Sequence, residues 1–200
     1  MAAETRLRKR AKPSASANAS ARQERKPSEG PPLTIRVEVK GLPPLIGFAS
    51  ACALVQRGRA YEIFLSDSAS SKCLARLLVH QEPLFEQLLG TSLDFYDGSV
   101  TWMAERGIEP AAIASELTNL ENIPFPQAAN LFRLFRAGTD AVLECYYASP
   151  RVIHLSQISK KRGSVKADPV CQVQMDLSLL IGLLRMVKQL KESSSETPPS

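Results

Sequence analysis

The last apolar segment of the chain constrains its fold more than any other feature. Asp176 can cap a helix that spans Leu177 to Lys191. On a helical wheel the apolar residues of this segment cover an arc of roughly 220°, whereas a helix lying on one sheet needs only about 100–150°. The excess predicts that the helix is buried on two sides.

Two surfaces can cover the second side of this helix, either another helix of the chain or the same helix in a partner subunit. We favour the partner subunit and therefore predict a homo-oligomer. The residues predicted to mediate self-association are Leu180, Leu183, Leu184, Val187 and Leu190.

Period-2 alternation of apolar and polar residues predicts most of the strands. It is clearest over 33–40, where Leu33, Ile35, Val37 and Val39 alternate with polar residues. A hairpin is predicted from 130–136 and 141–148, with a short helix over 127–137 as the alternative. The other predicted strands are 60–66, 151–158 and 170–175.

Helical spacing and helix-capping residues predict the remaining elements. Residues 45–57 favour a helix that ends at Gly58, although a strand turning at 57–59 is the alternative. Asp97-Gly98 fits the turn of a hairpin, whereas residues 99–106 fit a helix that is capped at Gly107. The other predicted helices carry Cys73, Leu74, Leu77 and Leu78; Leu84, Phe85, Leu88 and Leu89; and Ile113, Leu117 and Leu120.

Together these elements predict an α+β fold. It consists of a mainly antiparallel sheet of about five to six strands, helices on one face and a long apolar C-terminal helix. The predicted domain spans 32–191, which suits one ordinary domain because 44% of the chain is apolar. We expect disordered tails at 1–31, which is basic, and at 192–200.

The positive charge of the chain is concentrated at its N-terminus. The formal net charge is +5, and residues 1–30 alone hold eight basic and three acidic side chains, so the remaining 170 residues are neutral. Such an asymmetry predicts a segment that meets an anionic partner. The basic residues are Arg6, Arg8, Lys9, Arg10, Lys12, Arg22, Arg25 and Lys26.

These basic residues form two clusters, at 6–12 and 22–26, and four interpretations of them remain open. Flexible cationic segments attract phosphate backbones by releasing counterions. The spacing also fits a bipartite nuclear import signal, and the Arg, Ser and Ala content fits an organellar transit peptide, although Glu4 and Glu24 count against the latter. The fourth interpretation is a tail that only increases solubility.

A second cationic segment lies between the predicted strands 151–158 and 170–175. The predicted polar loop 160–168 contains Lys160, Lys161, Arg162 and Lys166, together with Gly163 and Ser164. It can hold a phosphate or a nucleic-acid backbone, or it can be an ordinary exposed loop, which we favour. If this loop and the tail share one side of the fold, the nucleic-acid interpretation gains.

Other candidate chemistry is weaker. Phe132 and Phe135 alternate with Arg133 and Arg136, which would suit base stacking, although burial of both rings in the core is favoured. A nucleophilic pair formed by Cys145 and His154 is conceivable, as are acid–base carboxylates. The carboxylate candidates are Asp94, Asp97, Glu105 and Glu109.

The sequence therefore favours a non-enzymatic binding or adaptor protein. Its basic tail would contact nucleic acid or another anionic partner, and its domain would self-associate or bind protein. The alternatives are a chaperone-like assembly factor that binds a protein client, and a small enzyme without a local motif. The four dispersed cysteines favour buried free thiols, and the sequence predicts neither a cofactor nor a metal site.

The predicted location is intracellular, in the cytoplasm or in the nucleus or nucleoid, with organellar import left open. Secretion is not expected, because residues 11–30 lack the apolar stretch of a signal peptide. The longest apolar candidate, Leu45 to Val55, is too short to span a bilayer.

Overall fold

A computed structural model of the chain describes residues 36–117, 120, 122–158 and 164–195. Within them the chain forms an α+β fold in which two mixed sheets share one apolar core. The strands are β1 (Arg36–Val39), β2 (Leu45–Ala49), β3 (Ala51–Arg57), β4 (Ala60–Asp67), β5 (Lys72–His80), β6 (Gln127–Ala128), β7 (Leu131–Ala137), β8 (Asp140–Tyr147) and β9 (Ser164–Asp176). The helices are α1 (Gln81–Pro83), α2 (Leu93–Ala104), α3 (Pro150–Ile158) and α4 (Leu177–Ser195).

The sheets are mixed, and the prediction of a mainly antiparallel sheet was wrong. The four-stranded sheet has the order β3-β4-β5-β6, and its last pair is parallel. In the five-stranded sheet β9 pairs antiparallel with β8, which pairs with β7. The other edge of β9 pairs in parallel with β1 and then with β2, so β9 is long enough to hold both short strands.

Residues 45–57 form strands, and the favoured helix was wrong. Gly58, with a φ of +62°, lies in the two-residue turn that joins β3 to β4, where Arg57 pairs with Ala60. A break at Ser50 separates β2 from β3, and the chain changes sheets there. The apolar run therefore buries residues in both sheets, and no single period describes it.

Residues 72–80 are also a strand and not the predicted helix. Cys73, Ala75, Leu77 and Val79 are buried in alternation, while a bulge near Leu74 disturbs the strand pattern. That disturbance gave Cys73, Leu74, Leu77 and Leu78 a spacing that resembles a helix.

The predicted helix near Pro83 is present, but it does not end at Gly90. α1 continues through a π-helical turn (Leu84–Leu89) and a 3₁₀ turn (Gly90–Ser92) into α2, and Gly90 has helical angles. α2 ends in a Schellman motif, in which Ile108 N–H donates to Met103 O and Gly107 N–H donates to Ala104 O. Of the two predictions for 91–108, the helix ending at Gly107 is therefore confirmed.

The segment 109–117 is not a helix, because its backbone groups find partners elsewhere. Ala114 exchanges two hydrogen bonds with β3, through Leu54 N–H and Cys52 O. Ala111 N–H donates to Ser178 O of α4 at 2.9 Å. The segment therefore crosses from the edge of β3 to α4 in an extended form, and Leu117 packs on the outer face of the four-stranded sheet.

The predicted hairpin is confirmed as β7 and β8, and 170–175 lies within β9. Residues 151–158 are the helix α3 and not a strand. Pro150 starts this helix, and Val152 N–H and Ile153 N–H donate to Ser149 O. Ile153 packs near Tyr146, on the side of the sheet away from α4, so the helices are not confined to one face.

The predicted C-terminal helix is confirmed as α4, and it continues to Ser195, four residues beyond its predicted end. It is buried on two sides within this chain, among both sheets and the helical segment that follows β5. The segment 108–113 closes over it at Gly182, where an added Cβ would clash with Ala111 O.

Candidate functional site

The first candidate site is the end of the five-stranded sheet where β1 and β9 begin. These strands are parallel, and Arg36 is paired with Ser164. In sequence, the last of the N-terminal basic residues, Lys26, precedes β1 by ten positions, and Lys160, Lys161 and Arg162 lie just before β9. The two strands that follow the cationic segments in sequence therefore begin next to each other, at the same end of the same sheet.

Most of the predicted anion-contacting residues lie outside the described residues, as does the predicted disorder of the N-terminal tail. They are Arg6, Arg8, Lys9, Arg10, Lys12, Arg22, Arg25, Lys26, Lys160, Lys161 and Arg162. Residues 196–200 of the predicted C-terminal tail also lie outside them.

Lys166 is the one predicted anion contact that is described, and it lies in β9 and not in a loop. Residues 164–168 of the predicted polar loop belong to this strand, with Val165 and Ala167 buried. Lys166 is exposed and paired in register with Glu38 of β1. Farther along, Lys40 Nζ lies 2.6 Å from Asp168 Oδ1. These two pairs are each balanced in charge.

The residues predicted for self-association lie mainly inside this chain. Leu180, Leu183, Leu184 and Val187 are fully buried, and Leu190 is half-buried at the edge of the core. Their apolar surface is covered within this chain by both sheets and by the helical segment that follows β5, which agrees with the predicted alternative of a second helix of the chain.

Phe132 and Phe135 point to opposite faces of β7, because residues three apart in a strand alternate sides. Phe132 packs against the core, whereas Phe135 lies on the outer face of the five-stranded sheet and is 48% exposed. The expectation that both rings are buried was therefore wrong for Phe135. Arg133 lies over the Tyr146 ring, and Arg136 lies over the Trp102 ring.

The outer face of this sheet carries a row of side chains that sequence reasoning missed. Phe48 of β2 is in register with Gln174 of β9, which is in register with Val142 of β8, and Val142 is paired with Phe135 of β7. These four residues help to line a shallow depression of about 190 Å³. The register that aligns them joins residues more than 120 positions apart, so no local signal reveals it.

Cys145 and His154 do not form a nucleophilic pair. Cys145 lies in the core on the α4 side of the sheet, whereas His154 is exposed on α3, which packs on the opposite side. Cys145 is paired with Cys171, and its thiol donates a hydrogen bond to the Cys171 sulfur; that bond and burial raise the pKa of Cys145 well above its usual value. Such a thiol is a poor nucleophile at neutral pH.

Two carboxylates are buried on sheet faces, and both have partners. Glu62 lies between Arg76 at 2.7 Å and Arg57 at 3.5 Å. Glu144 accepts a hydrogen bond from Tyr146 Oη at 2.6 Å, and burial together with this bond raises the pKa of Tyr146 to about 12. Each arrangement stabilises a charge and presents no unpaired base to a substrate.

The carboxylates at 94–109 are exposed on and after α2, and Glu105 is paired with Arg106 at 3.3 Å. A depression of about 340 Å³ beside β7 is lined by Ser92, Arg133 and apolar side chains. It gathers no cluster of acid–base groups. Among the described residues, no three His, Cys, Asp or Glu side chains come together as metal ligands.

No helix within the described part of the chain is long and apolar enough to cross a membrane. No protein-family model, no curated protein and no solved structure matches the chain.

Proposed function

We propose that this protein is a non-enzymatic binding protein that holds nucleic acid at the end of the five-stranded sheet where β1 and β9 begin. The observation that carries the proposal is the pairing of Arg36 with Ser164. Because of that pairing, the segments carrying eight and three basic residues attach next to each other. Cations that are brought together act on one length of phosphate backbone.

Binding in this proposal is electrostatic and independent of base sequence. The basic side chains neutralise phosphates and release counterions, which supplies the free energy. The described domain contributes the attachment points, and its own balanced pairs, Glu38 with Lys166 and Lys40 with Asp168, add little net attraction. The tail and the 160–162 cluster should therefore supply nearly all of the affinity.

The experiment measures binding of a labelled mixed-sequence DNA duplex by the full chain at several salt concentrations. Three variants are compared: removal of residues 1–30, a Lys160→Gln/Lys161→Gln/Arg162→Gln triple substitution, and the two changes together. Each lost phosphate contact should reduce the slope of log affinity against log salt by about 0.9. The combined variant should bind most weakly at every salt concentration.

The matched control is the full chain with Arg59→Gln, Lys72→Gln and Arg185→Gln. These exposed side chains carry the same total charge as the 160–162 cluster but lie on the β3–β4 turn, β5 and α4. If this control weakens binding as much as the 160–162 variant does, the effect is one of net charge and the proposed location is wrong. Equal affinity for the full chain and the combined variant would refute the function itself.

A further inference from the structure

The outer face of the five-stranded sheet concentrates exposed apolar side chains. Leu45 is 55% exposed, Phe48 is 44% exposed and Phe135 is 48% exposed. Val142 lies between the two phenylalanines and is half-buried. Among the described elements, α3 lies on this side, and it packs at the far end, around Tyr146, Val165 and Ala167. An apolar cluster left open in this way is typical of an interaction surface.

The side chains of this face are arranged in three rows across the strands. The central row is the Phe48–Gln174–Val142–Phe135 row, which we call the Phe row. The second row lies two positions before Val142 in β8, where Asp140 is paired with Asp176. Both aspartates are exposed. The third row lies two positions after Val142 in β8. There Glu144 is paired with Arg133 on one side and with Gln172 on the other, and Gln172 is paired with Leu45.

The charges on the two sides of the Phe row are opposite. Asp140 and Asp176 give one side a net negative charge, and the nearby Arg136 places its guanidinium over the Trp102 ring. On the other side Glu144 is buried beneath the Tyr146 hydroxyl, and the exposed charge is that of Arg133. Since each row is about 7 Å from the next, the Phe row lies midway between the acidic pair and Arg133.

We propose that this face packs against the same face of a second copy of the chain. A two-fold axis along the Phe row brings Phe48 and Phe135 of one copy against the same residues of the other. The same rotation carries Arg133 of each copy over the acidic side of its partner. Arg133 then faces β7 of the partner copy. Asp140 of that copy is on the neighbouring strand β8, about 4.8 Å away, which is within reach of an arginine side chain.

Nucleic acid fits this face poorly, because phosphates would meet Asp140 and Asp176. The surface is also remote from the end where β1 and β9 begin, so the inference does not depend on the proposed function. Three rows across four strands form a patch of about 19 by 20 Å, which is small beside permanent dimer interfaces. We therefore expect a dimer that dissociates in the micromolar range.

Sedimentation velocity of the full chain at increasing concentration tests the proposal. The wild-type protein should pass from 21.9 kDa to twice that mass. Phe48→Thr and Phe135→Thr should each raise the dissociation constant by at least about tenfold, because each removes an aromatic anchor. Phe125→Thr is the matched control, since Phe125 is 92% exposed and precedes β6, which belongs to the other sheet. A wild-type chain that stays monomeric, or a dimer that both variants retain, overturns the proposal.

Two further variants guard against an effect on folding. Asp140→Lys relieves the repulsion between Asp140 and Asp176 within one copy but sets a cation against Arg133 of the other, so it should weaken the dimer while the monomer stays folded. Gln174→Cys lies on the two-fold axis and should give a dimer cross-linked by a short bis-maleimide, which can span sheets about 10 Å apart, whereas Phe125→Cys should not. Unchanged dimerisation of Asp140→Lys, or equal cross-linking of both cysteine variants, would count against the interface.

Discussion

Gly182 is the residue where the absence of a side chain matters most to the packing of this fold. It lies in the middle of α4, a position where glycine normally weakens a helix by about 1 kcal/mol relative to alanine. Here the Ala111 carbonyl lies where its Cβ would be, and the Ile113 side chain lies close by. The glycine lets the extended segment 108–113 lie directly on the helix and donate a hydrogen bond to Ser178 O.

Gly182→Ala should therefore destabilise the protein, against the helix propensity of alanine. The added methyl group forces the segment away from α4, and we expect a loss of about 1–3 kcal/mol in the free energy of unfolding. Urea unfolding followed by the fluorescence of Trp102, the single tryptophan, measures it.

Gly98→Ala is the matched control for this change. Gly98 is an exposed helical residue of α2 with nothing within 4 Å of its Cβ position, so alanine should raise the free energy of unfolding by up to about 1 kcal/mol. Equal effects of the two substitutions would show that the contact with Ala111 does not matter.

At the scale of the element, Ser50 joins β2 of the five-stranded sheet to β3 of the four-stranded sheet. Ser50 N–H donates to Ser66 O, and its hydroxyl accepts a hydrogen bond from Ser68 N–H at 2.8 Å. The same hydroxyl lies 2.8 Å from Ser68 Oγ. These bonds fix the turn between β2 and β3 to the end of β4.

Ser50→Ala should lower the free energy of unfolding by about 0.5–1 kcal/mol, because the Ser68 amide and hydroxyl lose a partner. Thermal unfolding monitored by circular dichroism gives the comparison with Ser193→Ala. Ser193 donates only to Gln189 O near the exposed end of α4, so its loss should cost less than about 0.5 kcal/mol. A Ser50 variant as stable as the Ser193 variant would argue against the turn's importance.

Local pattern predicted the elements whose environment is uniform along their length. Strand β4 places Tyr61, Ile63 and Leu65 at every second position on its core face, and α4 carries a continuous apolar arc, so their sequences predict them. Residues 45–57 and 72–80 were missed because a change of sheet and a bulge interrupt their periods. Segment 109–117 was missed because its hydrogen-bond partners are distant in sequence.

The candidate sites were also predictable from the sequence only in part. Counting charges found the basic segments, but the pairing of Arg36 with Ser164, 128 residues apart, could not be foreseen from either segment. The Phe row likewise depends on the register of four strands, although the alternation in β7 alone places Phe135 opposite Phe132.

At the scale of the whole molecule, several buried thiol and phenol groups make stability depend on pH. Burial raises the pKa of Cys52 from 9.0 to about 12, and burial and Glu144 raise that of Tyr146 from 10.0 to about 12. Burial also raises the pKa values of Tyr61 and Cys73. In each case the folded state holds its proton more tightly than the unfolded state does.

The free energy of unfolding should therefore be fully retained below about pH 9 and fall as the pH rises toward about 12. A buried thiol such as Cys52 contributes a slope of up to about 1.4 kcal/mol per pH unit in this window. Urea unfolding at a series of pH values measures the fall, and a Cys52→Ala/Tyr146→Phe variant should show a shallower one. A free energy that stays constant up to about pH 11 would contradict the expectation.

The place of β9 in the five-stranded sheet also bears on how the chain folds during synthesis. β1 and β2 leave the ribosome early, yet in the finished sheet both are paired with β9, which is made more than 120 residues later. Pairing over such a separation is slow and leaves early strands exposed while they wait. The five-stranded sheet can close only after β9 has been synthesised, whereas β3, β4 and β5, which are consecutive antiparallel strands, can pair as soon as they emerge.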